Sequence, residues 1–191
     1  MIKSTYLQRL NSWNSSQKYL QEVKFLELLL NPSDDDVILD YGCGTGYCIK
    51  LLSKNSKAKY YGFDINKFFG GKKSPDWFLD SLQTEIKFSK IYFMHSIAHI
   101  ENISEVLQNI KKLLKNNGHI YVITPNKEFD DYFKMIKDPN YQPDPTVVKH
   151  YTIEEIVNLI ESSGYYVEVV GQFGKKVNNF QERIFTIASF E

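Results

Sequence analysis

Arginine is nearly absent from this sequence: of 23 basic residues, only Arg9 and Arg183 are not lysine. Base readout and phosphate clamping favour the planar guanidinium fork, so sequence-specific contact with nucleic acid is not expected. Net charge is absent too, with Lys+Arg and Asp+Glu at 23 each. That removes any overall pull toward polyanions or an anionic membrane. Cysteine is scarce. Cys43 and Cys48, five residues apart, match neither a disulfide framework nor a metal-binding spacing, and they suit a reducing compartment. No long apolar run is present, and Met1 to Asn11 lacks the apolar centre of a signal peptide, so a cytoplasmic location without a membrane partner is expected. A chain of 191 residues has room for one α/β domain with a substantial core, and no linker or repeat divides residues 1–191.

What the sequence does have is aromatic side chains, 13 Tyr and 13 Phe, enough to fill a core and to line a pocket as well. Apolar residues at helical spacing run from Tyr6 to Leu30, interrupted at Ser12 to Ser16, which predicts two helices ending at Asn31-Pro32. Seven strands are expected: around Val37 to Leu39, Lys59 to Asp64, Trp77 to Leu79, Lys90 to Met94, His119 to Thr124, Tyr165 to Val170 and Arg183 to Phe190. Helices are expected after the first strand, in stunted form over Phe68 to Lys73, over Ile103 to Leu114, and from Thr152 to Ser163 behind a TIEE capping box. Residues 125–149, with four prolines, predict a long irregular stretch, and the last two strands a polar loop containing Gly171 and Gly174. Strand–helix alternation followed by a final strand pair implies an α/β sheet, mostly parallel, with helices on both faces and one antiparallel terminal strand.

The segment with the sharpest chemistry is Asp40-Tyr41-Gly42-Cys43-Gly44-Thr45-Gly46, where a strand enters a helix through glycines. Such a turn lets backbone approach a ligand and points helix N–H groups at it. The spacing is G-C-G-T-G, unlike the GxGxxG of dinucleotide sites, and an acid at the strand end repels a pyrophosphate. A carboxylate at Asp40 suits a cationic amine or sulfonium. Asp64 ends the next strand, eighteen positions past Gly46, where a carboxylate can accept hydrogen bonds from both hydroxyls of a ribose. A nucleoside joined to a cationic amino-acid end, without phosphate, describes S-adenosylmethionine.

On LDYGCGTG, YGFDIN, IYFMHSIAHIEN and HYTIEEIVNLIESSGYYVEVV, the chain resembles the class I S-adenosylmethionine-dependent methyltransferases of the small-molecule subgroup, from about Val37 to Phe190. The resemblance implies a Rossmann-like α/β fold with a seven-stranded, mostly parallel sheet. It implies an enzyme with S-adenosylmethionine as cofactor, a small-molecule methyl acceptor and direct in-line transfer. It places the cofactor on Asp40, Gly42, Cys43, Gly44, Gly46, Asp64, Ile65 and Met94, with Asp80 and Ser81 toward the adenine and Asp76 as rival to Asp80. One departure is Ser89, where the family often has Asp; that position is usually structural.

His95 and His99 fall at the sheet mouth, where a His can serve as general base; packing is the alternative for each. An N-terminal helical cap (1–33) and a covering insertion (125–149) supply acceptor candidates Tyr6, Trp13, Phe129, Tyr132, Phe133 and His150, with Tyr141 in the same aromatic group. The fourth strand lacks the Asp/Asn-Pro-Pro-aromatic and Pro-Cys motifs of base methylation, and no metal cluster is implied, so an oxygen- or nitrogen-bearing small acceptor is expected. A protein that binds the cofactor without transfer, and a nicotinamide oxidoreductase, are the alternatives from other classes.

Overall fold

In a computed structural model of the protein, which describes residues 16–67, 73–139 and 141–190, the first element is helix α1 (Gln17–Leu30). Ser16 starts it by accepting the Tyr19 N–H at 3.1 Å, and Asn31 ends it in the left-handed conformation. The first half of the expected helical cap lies outside the described residues. Helices α2 (Tyr47–Leu52), α3 (Ile103–Lys111), α4 (Lys127–Met135) and α5 (Ile153–Ser162) follow, the last behind the expected capping box of Thr152 and Glu155.

The strands are β1 (Val37–Tyr41), β2 (Lys59–Phe63), β3 (Phe88–Met94), β4 (Leu114–Pro125), β5 (Tyr166–Val177) and β6 (Phe180–Ser189). They form one sheet in the order β2-β1-β3-β4-β6-β5. The first four are parallel, and β6 runs antiparallel to both β4 and β5. One core, with Leu39, Phe93, Leu107, Val122, Ile156 and Ile184, lies on the face covered by α3 and α5. The other, with Tyr19, Leu26, Ile38, Cys48, Tyr92 and Ile123, lies under α1 and α2. Phe93 is fully buried, and its replacement by Ala is expected to cost about 3–5 kcal/mol.

Three expectations are corrected. The sheet has six strands, because Trp77 to Leu79 makes only a single bridge, Phe78 opposite Gly62. Gly62 N–H reaches Trp77 O at 3.0 Å and Leu79 N–H reaches Gly62 O at 2.8 Å. Pro75 offers no N–H to a ladder, and the Phe78 N–H turns back to the Pro75 carbonyl at 2.9 Å, so pairing does not propagate. Residues 125–149 are not wholly irregular: Asn126 caps α4 by accepting the Glu128 N–H, and Phe129 and Phe133 pack with tilted rings one turn apart. The expected polar loop between the last strands is instead a continuous hairpin, closing through Asn178 and Asn179 between paired Val177 and Phe180. Asn178 takes the left-handed conformation such a two-residue turn needs. The expected stunted helix at Phe68 to Lys73 falls almost entirely outside the described residues.

Candidate active site

Asp40 leaves β1 between Gly62 of β2 and Tyr92 of β3, so the glycine turn opens where parallel strands end. Gly42, Gly44 and Gly46 all have positive φ (81°, 54° and 73°), which only glycine adopts without strain. Space is equally restrictive. A Cβ on Gly42 would overlap the Ser96 side chain, and one on Gly46 would run into the Trp77 ring. Ser96 is in turn fixed by its hydroxyl donating to the Tyr41 carbonyl. Trp77, expected only as a strand residue, thus forms one wall of the turn.

Asp64 follows β2 directly. Its Oδ2 accepts the Gly44 N–H at 2.9 Å and its Oδ1 the Asn66 N–H at 2.8 Å. Each oxygen retains a second lone pair. Burial raises its pKa, opposed by those two N–H groups and by nearby His99. Ile65 beside it is an apolar side chain 86% exposed. Asp80 is exposed and ion-paired with Lys67, while Ser81, also exposed, accepts the Gln83 N–H through its hydroxyl. Met94 is buried at the end of β3.

Asp40 itself is 2% exposed, packed with Tyr92, Cys48 and Tyr19. Burial lifts its pKa to about 8, with the Tyr92 hydroxyl opposing and Asp64 adding to the rise. Among the described residues no cation forms an ion pair with it. Burial also pushes the Cys43 and Cys48 thiols up, so both are unreactive packing groups, and they are free, not bonded to each other.

The two candidate histidines part company. His95 takes a left-handed conformation (φ 63°) at the end of β3, and its N–H is held by the Ile123 carbonyl at 2.8 Å. Its Nε2 lies 2.7 Å from Oε2 of Glu22 on α1. His99 sits near Asp64, and its Nδ1 lies 2.9 Å from the Thr146 carbonyl and 3.1 Å from the Thr146 hydroxyl. Val148 N–H to Ala98 O at 2.8 Å completes a strap by which the 144–149 segment crosses the sheet mouth.

The acceptor candidates divide as well. Phe129 is 5% exposed and packs against Phe133; Tyr132 and Tyr141 contact the same Phe133 ring. His150 Nδ1 lies 2.6 Å from Asp130 Oδ2, linking the end of the segment to α4. Tyr6 and Trp13 lie outside the described residues. A cleft of about 450 Å³ opens between α1 and the β5–β6 hairpin, lined by Lys18, Gln21, Glu22, Phe173, Lys175 and Glu182 and by none of these candidates. Lys175 also lies over the Phe133 ring, 5.6 Å from its centre.

Glu22 and Arg183, which meet here, were not among the sequence candidates. Both carried a signal: Glu22 interrupts the apolar stripe of Tyr19, Val23 and Leu26, and Arg183 shares a strand face with Phe185 and Ile187.

The profile of the family described as "Methyltransferase domain" matches residues 13–170. A probable cobalt-precorrin-6B C(15)-methyltransferase (decarboxylating) of Methanococcus maripaludis is 26% identical over 94% of this chain and 90% of its own. A ubiquinone biosynthesis O-methyltransferase of Pelagibacter ubique is 27% identical over 65% of this chain and 58% of its own. The structure of magnesium protoporphyrin IX methyltransferase from Synechocystis PCC 6803, solved with SAH, shares the fold with a TM-score of 0.71. It is 16% identical, with 98% of this chain and 95% of that one covered. The match over residues 13–170, on a Rossmann-like sheet whose glycine turn meets Asp64, places this chain in the methyltransferase-domain family, as a class I S-adenosylmethionine-dependent methyltransferase.

Proposed function

We propose that the methyl acceptor is a small molecule and that the methyl group goes to one of its oxygen or nitrogen atoms. The observation that carries this reading is the cleft of about 450 Å³, whose Glu22 floor holds His95 one residue before the Ser96 that packs on the glycine turn. That volume lies within the range of small-ligand pockets. An imidazole one residue from the Ser96 that packs on the cofactor turn serves chemistry in which an O–H or N–H must lose a proton. The names of the two relatives describe carbon and oxygen methylation, so the class of acceptor atom is what an experiment must decide.

When bound, S-adenosylmethionine supplies the electrophilic methyl group on its sulfonium. The chain's residues fit its parts. Asp40, without an ion-paired cation among the described residues, faces the amino-acid end together with Gly42, Cys43, Gly44, Gly46 and Met94. Asp64 offers two unused lone pairs to the ribose, and exposed Ile65 is the platform for the adenine edge that Asp80 and Ser81 border. His95 removes the acceptor's proton, while His99 holds the 144–149 strap through Thr146. Buried Phe129 supports α4, leaving Tyr132, Phe133 and His150 to approach the acceptor. Residues 1–191 act as one methyltransferase domain, with 1–33 as cap and 125–149 as acceptor cover. No helix among the described residues is long and apolar enough to cross a membrane, and two free thiols fit a cytoplasmic location.

The test is methyl transfer from labelled S-adenosylmethionine into a protein-free metabolite extract, with the product bond assigned by NMR. Label on an oxygen or nitrogen of a small molecule supports the reading. Label confined to added RNA or protein, or a new C–CH₃ bond, overturns it.

A further inference from the structure

The mouth of the sheet buries three ionisable groups from three separate elements. Glu22 comes from α1, His95 from the end of β3 and Arg183 from β6, with side chains only 5%, 16% and 7% exposed. Glu22 divides its oxygens between the other two: Oε2 lies 2.7 Å from His95 Nε2, and Oε1 lies 2.8 Å from Arg183 Nε. Arg183 also approaches Glu182 at 3.6 Å, and Glu182 pairs with Lys18 at the rim of the cleft. Apolar side chains would dock α1 on the sheet without the several kcal/mol that burying each ion costs before pairing. The left-handed backbone of His95 adds further strain, of a kind concentrated at functional sites.

The charge state of the trio follows from its surroundings. Burial alone would raise Glu22, but His95 and Arg183, with Lys18, hold it down at about 2, so it is a carboxylate. His95 is lowered by burial, with Arg183 and Lys18 adding and Glu22 opposing, so its ring is neutral near pH 7. A neutral imidazole facing a carboxylate at 2.7 Å must present its N–H there, which puts the proton on Nε2 and the lone pair on Nδ1.

We propose that Glu22 is a positioning residue of the transfer site: it holds the His95 ring with Nε2 protonated and Nδ1 as the base, and Arg183 keeps Glu22 a carboxylate. The inference rests on the reading of His95 as the proton acceptor. In the step it serves, the acceptor's O–H or N–H gives its proton to Nδ1 as the acceptor atom bonds the methyl carbon. The C–S bond breaks with its electron pair left on sulfur. The products are methylated acceptor, S-adenosylhomocysteine and the His95 imidazolium, which later returns its proton to water.

The experiment is ¹⁵N–¹H NMR of the labelled full-length protein, with His95 assigned by its loss in His95→Gln. The wild type is expected to show neutral His95 with Nε2–H at pH 7. In Glu22→Gln, Arg183 claims the amide oxygen, the amide N–H₂ turns to Nε2, and the proton moves to Nδ1. The titration midpoint of His95 falls in Glu22→Gln and rises in Arg183→Gln, shifts that any buried ion pair gives, so the readout peculiar to a positioning role is the pH dependence of transfer. Methyl transfer into the metabolite extract drops about tenfold or more in Glu22→Gln at pH 7. That loss shrinks at high pH, where the acceptor ionises unaided. A wild-type ring with Nδ1–H, or a tautomer unchanged in Glu22→Gln, overturns the role of Glu22 and leaves His95 as base. Undiminished transfer by His95→Gln overturns the reading beneath it and the inference with it.

Discussion

The glycine turn and the floor of the cleft each bury one carboxylate, in opposite states. Asp40 is surrounded by Tyr92, Cys48 and Tyr19, with no ion-paired cation among the described residues, and its pKa is pushed up to about 8. Glu22 is buried nearly as deeply, at 4%, yet sits between His95 and Arg183 and is held at about 2. Burial opposes the charge in both; the partners decide the outcome. In the proposed reading, the positive group that arrives with the cofactor is what pairs with Asp40. The cleft floor carries its own cation and spends the carboxylate on orienting a ring.

The comparison breaks most sharply at the backbone of the turn. Gly42→Val puts a branched side chain at φ 81° into the space of Ser96, and S-adenosylhomocysteine binding measured by calorimetry is expected to be lost. At the cleft floor, Glu22→Leu strands Arg183 in the core and is expected to lower stability by about 3–5 kcal/mol in urea unfolding. S-adenosylhomocysteine affinity should survive that change in the folded fraction. If affinity falls as far as stability, the two regions are not separate. Asp64→Ala removes the proposed ribose acceptor and the anchor of Gly44, and should weaken S-adenosylhomocysteine binding by about tenfold or more. Unchanged affinity refutes that role.

The two carboxylates should also diverge in pH dependence. Asp40 is raised, so its support for the folded chain is complete below its ordinary value of 3.8 and is lost as pH rises through about 8. A cationic ligand reverses the preference, so S-adenosylhomocysteine affinity should climb toward pH 8 by up to about tenfold per unit. Asp40→Asn should flatten both profiles. Glu22 is lowered from 4.5, so its support is complete above that value and is lost as pH falls through about 2. The smallest effect is expected at the rim. The Lys67–Asp80 pair is exposed, and Asp80→Ala should change stability by less than about 1 kcal/mol. A large loss of cofactor affinity in that variant would assign Asp80 to the adenine.

Legibility in the sequence follows how local each interaction is. The glycine turn, Asp64 and the Thr152 capping box depend on neighbours a few residues away or on adjacent strand ends, and each was readable from spacing. The Trp77 to Leu79 strand failed because ladder formation depended on the Pro75 turn and on the short connection from Asp64. Helix α4 was hidden among prolines that lie outside it, although Phe129 and Phe133 already held the one-turn spacing. The hairpin was hidden because Lys175, Lys176 and Asn178 read as solvent loop, whereas the backbone pairing of β5 with β6 ignores side-chain polarity.

By itself, the sequence determined the α/β class, the glycine turn and the S-adenosylmethionine-dependent family, because backbone conformation and strand ends obey short-range rules. Only the tertiary structure joined Glu22 to His95, 73 positions away, and to Arg183 on the antiparallel strand. It alone buried Asp40 and tied His99 to Thr146. The physical reason is that charge state depends on burial and on partners brought from distant elements, and neither is encoded in spacing along the chain.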